Sequence, residues 1–284
     1  MRTIKKIHPA AYTPIAYLNT YTALPTGSLD YLDPFLLLHH HGPQIFEKNN
    51  PGLPFGPHPH RGFETLTYII KGDIAHQDSS GGEHVNVDGG VQWMTAGSGL
   101  IHSEVSSEDF IKNGGEEEIL QLWMNLSAKH KMVKPHYVGL NYDEIHHFDL
   151  DDGKVTVDLI SGEMEGHKGP IDSLSGLTMT SIRMKKDGKI SLDIPKENQI
   201  FFYVAKGKLM VNGKEVAMHN LVQFDFTDGA VEVEALKEAY ILFGHGKPFN
   251  EPVVSQGPFV MNTEKEIMEA YQDYRSGKMG SWGK

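Results

Sequence analysis

A chain of 284 residues with a formal net charge of −11 is poorly suited to a nucleic-acid backbone, whose affinity is built from Lys and Arg contacts. Hydrophobic residues at 39% supply real cores, and no apolar run approaches the ~20 residues of a membrane span, so a soluble, cytoplasmic protein is expected. With no cysteine, disulfides, thiolate ligands, iron–sulfur clusters and cysteine nucleophiles are excluded, and any metal must rely on His, Asp and Glu.

The N-terminal stretch MRTIKKIHPAAYTP has lysines but no apolar run behind them, so no secretory leader is expected. Thirty glycines and fifteen prolines favour short strands joined by turns. The stretch FGPHPHRGFETLTYIIKG, Phe55 to Gly72, opens on a Gly-Pro turn and leads into a strand over Thr65–Ile70. Further strands are predicted at Val91–Thr95 and at Ile119–Leu126. In the latter, Leu120, Leu122, Met124 and Leu126 alternate with Gln121, Trp123 and Asn125. The polar, basic, proline-containing stretch Ser127–Gly139 reads as a crossover. Beyond it, strands are expected at Val155–Ile160, Thr178–Met184, Ile200–Ala205, Lys208–Val211, Val231–Glu234 and Tyr240–Phe243. One helix follows, with Thr263 and Glu266 as a capping box and Ile267, Ala270, Tyr271 and Tyr274 at helical spacing, stopped by Gly277. The closing KMGSWGK is expected to be loose.

Two segments share a layout. ETLTYIIKGDIAHQDSSG (Glu64–Gly81) resembles QIFFYVAKGKLMVNGKEV (Gln199–Val216), and VQWMTAGSG (Val91–Gly99) lies roughly where VQFDFTDGA (Val222–Ala230) lies later. Two copies of a β-rich unit imply a duplicated all-β fold, two antiparallel barrels of the jelly-roll kind. The expected domains are residues 1–137 and 138–284, the latter carrying the C-terminal tail and helix.

His58, His60 and Glu64 share a strand face if the strand runs regularly through them, with Arg61 and Phe63 opposite. Some forty residues on, His102 and Glu104 share a face after Gly97 and Gly99. One His-X-His among 16 histidines is a weak signal for a metal, and a polar strand face is its plain reading. A second group, His-X-Glu after a glycine turn in the same repeat unit, strengthens the metal reading. In the second copy the matching positions fall near Asp193, Pro195, Gln199, Val233 and Ala235, with no histidine, so only the first half is expected to hold a site. Spacing alone leaves open whether Glu64 or Glu104 supplies the carboxylate.

These motifs resemble the cupin superfamily, and PHPHRGFETLTYIIKG, HQDSSG, VQWMTAGSGLIHSE, LQLWMNL and GKPFNEPVVSQGPFVMNT (Gly246–Thr263) resemble pirins specifically. The resemblance runs from about Leu32 to Thr263. It implies two tandem cupin barrels with a short C-terminal helix. It also implies one mononuclear divalent metal in the first barrel, iron foremost with Zn, Mn, Ni, Cu and Co as alternatives. The ligands it implies are His58, His60, His102 and Glu104, leaving Glu64 as a candidate base or a residue that orients a histidine. The chain departs from many pirins after LDPFLLL, where HHHGPQIF (His39–Phe46) replaces an acidic pair; His39–His41 are expected in a polar loop or strand end. His76, His130, His136, His146 and His147 are expected to be surface histidines.

The activity implied is that of a quercetin 2,3-dioxygenase, in which a flavonol and O2 meet at the metal, the central ring opens and carbon monoxide leaves. Glu104 or Glu64 would take the 3-hydroxyl proton. The alternative is a redox-sensitive regulator that binds a transcription factor or a metabolic enzyme. A small aromatic substrate with O2 is the expected partner, a protein partner belongs to the alternative, and a monomer is expected.

Overall fold

Apolar and polar residues that alternate between glycine- and proline-bearing turns fold into antiparallel strands throughout residues 1–282, which the computed structural model describes. Thr178–Met184, Lys208–Val211 and Val91–Thr95 are strands with the expected ends. Thr65–Ile70 lies inside the longer Phe63–Lys71. The strand expected from Ile119 begins at Gly115 and ends at Asn125, its ladder passing through a register shift between Glu118 and Ile119. The helix Glu264–Arg275 is capped by Thr263, whose hydroxyl accepts the Glu266 N–H, and a short helix at Glu108–Asn113 was not foreseen. Gly283 and Lys284, the end of the tail expected to be loose, lie outside the described residues.

Contacts divide the chain into two units. One comprises Thr13–Thr20, Leu38–Tyr142 and the chain from Phe249 onward; the other comprises Met1–Tyr12, Tyr21–Leu37 and Asp143–Pro248. The expected cut at residue 137 follows sequence order, whereas the contacts interleave the segments. Strand Ile4–Pro9 pairs with Asn220–Phe224, and the C-terminal helix belongs to the unit that contains Leu38–Tyr142.

The larger sheet of the first unit includes, in order, His136–Leu140, Val91–Thr95, Phe63–Lys71, Gly115–Asn125 and Phe35–Phe46. Its smaller sheet runs Phe55–His60, Leu100–Val105, Asp73–Asp78, Glu83–Val87. The second unit repeats this order in Lys189–Leu192, Val231–Ala235, Lys208–Val211, Lys214–Ala217. Its larger sheet centres on Asn220–Phe224, Gln199–Lys206, Ala239–Gly246 and Thr178–Met184. Here the interior is apolar, with Ile190, Leu192, Val231 and Val233 on the paired strands of the small sheet and Phe202, Val204, Ile241 and Phe243 facing them. In the first unit the equivalent strand pair carries histidines.

The two sheets of the first unit are joined at Arg61–Gly62, where the chain leaves Phe55–His60 and enters Phe63–Lys71. Gly62 has φ +88°, and a Cβ there would lie 2.0 Å from the Val260 carbonyl oxygen. Only glycine meets both demands. Gly62→Ala should therefore cost more than the ~1–2 kcal/mol of a left-handed non-glycine residue alone. The measurement is the urea midpoint, which should fall; an unchanged midpoint would contradict this account of the crossing.

Candidate metal centre

His58 and His60 alternate along Phe55–His60, and His102, on Leu100–Val105, pairs with His58 across the ladder. One ring nitrogen from each of the three lies within 4.8 Å of the others. His58 is half-buried, while His60 and His102 are buried. His58 Nδ1 stands 2.7 Å from the Gly56 carbonyl and His60 Nδ1 3.2 Å from the Pro258 carbonyl. A carbonyl can only accept, so each Nδ1 carries the proton and each Nε2 keeps its lone pair. The Nε2 atoms of His58 and His102 are 3.0 Å apart, close to the separation of two nitrogens bound at about 2.1 Å on adjacent corners of one metal. His102 Nδ1 is buried without a hydrogen-bond partner, so, unlike His58 and His60, this ring has no protein acceptor that fixes Nδ1 as the protonated nitrogen. These donors fit a divalent metal.

The electrostatics agree. Burial first, then the neighbouring His58, pushes His60 down to about 3. Burial, followed by His60, His58 and His76, holds His102 well below the ordinary histidine range. Both rings are neutral at physiological pH, the form that binds metal.

Glu104 follows His102 on the same strand and is buried, but it does not join the three imidazoles. It reaches across the barrel to the larger sheet, where Oε1 accepts from Thr67 Oγ1 at 2.7 Å and Oε2 from Gln121 Nε2 at 2.6 Å. Thr67 and Gln121 are paired across their own ladder, and together they hold the carboxylate in the interior beside the histidines' strand.

Glu64 lies elsewhere. The expectation that it shares a face with His58 and His60 assumed one regular strand, and the crossing at Arg61–Gly62 breaks that parity. Phe63 faces the site, its ring centroid 5.0 Å from His60, and alternation then sends Glu64 to the opposite face of the larger sheet. There Glu64 Oε1 accepts from Trp93 Nε1 at 3.1 Å and Thr95 Oγ1 at 2.7 Å. Glu64 is thus corrected from candidate base to a buried acceptor behind the sheet.

Two other histidine readings change. His39–His41 are not in a loop: they lie within strand Phe35–Phe46, His40 bonded to Glu118 at 2.9 Å and His41 to Thr20 at 2.9 Å. A strand that continues through three polar side chains is possible because each buried ring finds a partner. His76 is buried, not superficial. Its Nε2 is 3.0 Å from Asp78 Oδ2, it stacks on Tyr137 at 3.8 Å, and its ring centroid is 5.5 Å from that of His102. Asp78 is held well below the usual carboxylate range by hydrogen bonds from His76, Ser80 and Gly82, which outweigh its burial. Trp123 completes the wall, 5.1 Å from His60 and 4.4 Å from Phe63 between centroids. Sequence reasoning missed Thr67, Gln121, His76 and Trp123 as site residues. Counting alternate positions from Phe63, once the crossing is known, recovers Thr67 and its ladder partner Gln121.

The depressed values give a pH dependence with a definite sign. The folded His60 takes its proton only near pH 3, while an unfolded histidine does so near 6.5. Stability is therefore full above about 6.5 and lost as pH falls toward 3, on the order of a few kcal/mol. Urea melts of metal-free protein between pH 7 and 4 should show it, and His60→Gln should flatten the profile; an equal slope in both would contradict the assignment.

Comparison with known proteins agrees with this geometry. Residues 17–124 match the family model for pirin, and residues 179–280 match that for the pirin C-terminal cupin domain. Human pirin is 36% identical over 258 residues, covering 89% of this chain and 84% of that protein. A pirin-like protein of Solanum lycopersicum is 38% identical over 256 residues, covering 89% of this chain and 84% of that protein. The crystal structure of a quercetin 2,3-dioxygenase from Acinetobacter baumannii superposes with a TM-score of 0.93 at 33% identity, covering 99% of both chains. Two family models matched in chain order, with relatives this similar over most of their length, place one conclusion beyond the site itself: the chain belongs to the pirin family.

Proposed function

We propose that this pirin binds one divalent metal, iron foremost, on His58, His60, His102 and Glu104, and uses it with O2 to open the central ring of a flavonol such as quercetin. The observation that carries the reading is the convergence of three imidazoles, two with Nδ1 facing a backbone carbonyl, in the interior of a barrel whose twin is apolar. The likeness to the Acinetobacter baumannii quercetin 2,3-dioxygenase supports the substrate class. Nitrogen and carboxylate donors without thiolate suit iron, manganese, nickel, cobalt, copper or zinc.

A metal held there supplies Lewis acidity toward a phenolic hydroxyl and the redox capacity that an O2-dependent cleavage needs. The protein's own groups do the rest. Glu104, held between Thr67 and Gln121, is the carboxylate within reach of the site once Glu64 is set aside, and in this reading it takes the flavonol's 3-hydroxyl proton. A carboxylate has about four lone-pair sites, so Glu104 can serve as a ligand without surrendering both donors. Trp123, partly exposed beside His60, is an aromatic side chain suited to packing on an aromatic ring.

The test loads protein with Fe2+ under anaerobic conditions, adds quercetin and O2, and follows flavonol absorbance and carbon monoxide. His58→Ala and His102→Ala should lose metal and turnover. Glu104→Gln should lower turnover by about a hundredfold or more, whereas Glu64→Gln should stay near wild type. Full metal occupancy without flavonol loss would overturn the dioxygenase reading and favour the regulatory one.

A further inference from the structure

Lys131, in the turn that follows Gly115–Asn125, is an unusual residue to bury. It is 1% exposed, and its ammonium donates to three uncharged oxygens: the Gly62 carbonyl at 2.8 Å, Asn125 Oδ1 at 2.6 Å and the Val260 carbonyl at 3.0 Å. All three of its N–H donors are thereby used. Among the described residues no carboxylate shares that shell, and burial lowers Lys131 to about 8, with Glu251 and Glu266 opposing the shift from farther away. A cation buried at such a cost is kept where it fixes geometry or function.

Its three acceptors define what it fixes. Gly62 is the crossing turn, two residues after His60. Asn125 pairs with Phe63, the first residue beyond the turn. Val260 belongs to a C-terminal segment that runs beside the turn: Phe259 bridges Arg61 in parallel, Val260 N–H donates to the Arg61 carbonyl at 3.0 Å, and the Pro258 carbonyl faces His60 Nδ1. The segment is itself anchored. Phe259, Met261, Ile267, Ala270 and Met279 pack around Ile101, the neighbour of His102. Arg61 meanwhile reaches Asp273 on the C-terminal helix at 2.9 Å.

We propose that Lys131 is a positioning residue for the metal centre, clamping the Arg61–Gly62 turn to Val260 so that the Pro258 carbonyl holds His60 with Nε2 toward the metal. The inference rests on the metal reading above and adds to it a component supplied by the C-terminal segment. Residues that orient a ligating histidine typically change metal affinity by about 10- to 100-fold when removed.

The probe is Co2+. Its dissociation constant, from competition with a chelator, and the hyperfine-shifted imidazole N–H signals of the loaded protein are compared in wild type, Lys131→Met and the exposed control Lys129→Met. Lys131→Met should bind Co2+ about 10- to 100-fold more weakly and lose or shift the His60 N–H signal through faster exchange with water. Lys129→Met should change neither. Stability loss alone would leave the His60 signal of the loaded protein in place, so that signal separates positioning from general support. A second arm needs no variant: Co2+ added to wild type should slow hydrogen exchange at the Gly62 and Val260 amides, because coupling between two sites is reciprocal. Unchanged exchange at both amides overturns the inference whether or not Lys131→Met folds, as does a Lys131→Met protein with wild-type affinity and an unaltered His60 signal. Wild type that takes up no Co2+ overturns the metal reading and this inference with it.

Discussion

The site depends on the two-residue passage between facing sheets at Arg61–Gly62. His60 closes one sheet and Phe63 opens the other, so the chain must reverse within a space that also admits the Val260 carbonyl. That reversal decides which side chains look inward. It puts His58 and His60 on the same small sheet as His102 and brings Phe63 and Thr67 in from the opposite wall. One residue more or less in the passage would exchange Thr67 for Leu66 and Phe63 for Glu64 on the inner face.

The two barrels show what the same strand order becomes with different interiors. In the second, valine, isoleucine and phenylalanine meet across the core and need nothing but close packing. In the first, inward polar groups mostly call for partners, because an unpaired polar group in a dry interior is costly. Glu104 takes Thr67 and Gln121, His76 takes Asp78, and His40 takes Glu118. Holding neutral imidazoles near one another thus required a surrounding set of hydrogen bonds that the apolar twin has no use for.

The all-β repeat, most strand centres, the C-terminal helix cap and the three converging histidines were legible from residue type and short-range spacing. Each is a local property: alternation, a capping box, an i, i+2 pair after a turn. What was misread depended on geometry beyond a single strand. The parity argument for Glu64 held only while the chain stayed in one sheet, and sequence gave no sign that Arg61–Gly62 changes sheets. His39–His41 were expected in a polar loop or strand end rather than mid-strand, because the partners that satisfy them, Thr20 and Glu118, are distant in sequence. The interleaving of segments between units was invisible for the same reason. That Glu104 rests on Thr67 and Gln121 depends on register across two ladders, which residue identity does not specify.

The Pro258 carbonyl that faces His60 lies 198 residues further along the chain. A nascent chain emerging in order would expose His58, His60 and His102 long before it possessed the backbone that orients one of them. The geometry at His60 is thus a long-range product: it waits on a segment made 198 residues later rather than on the strand pair that carries the histidines.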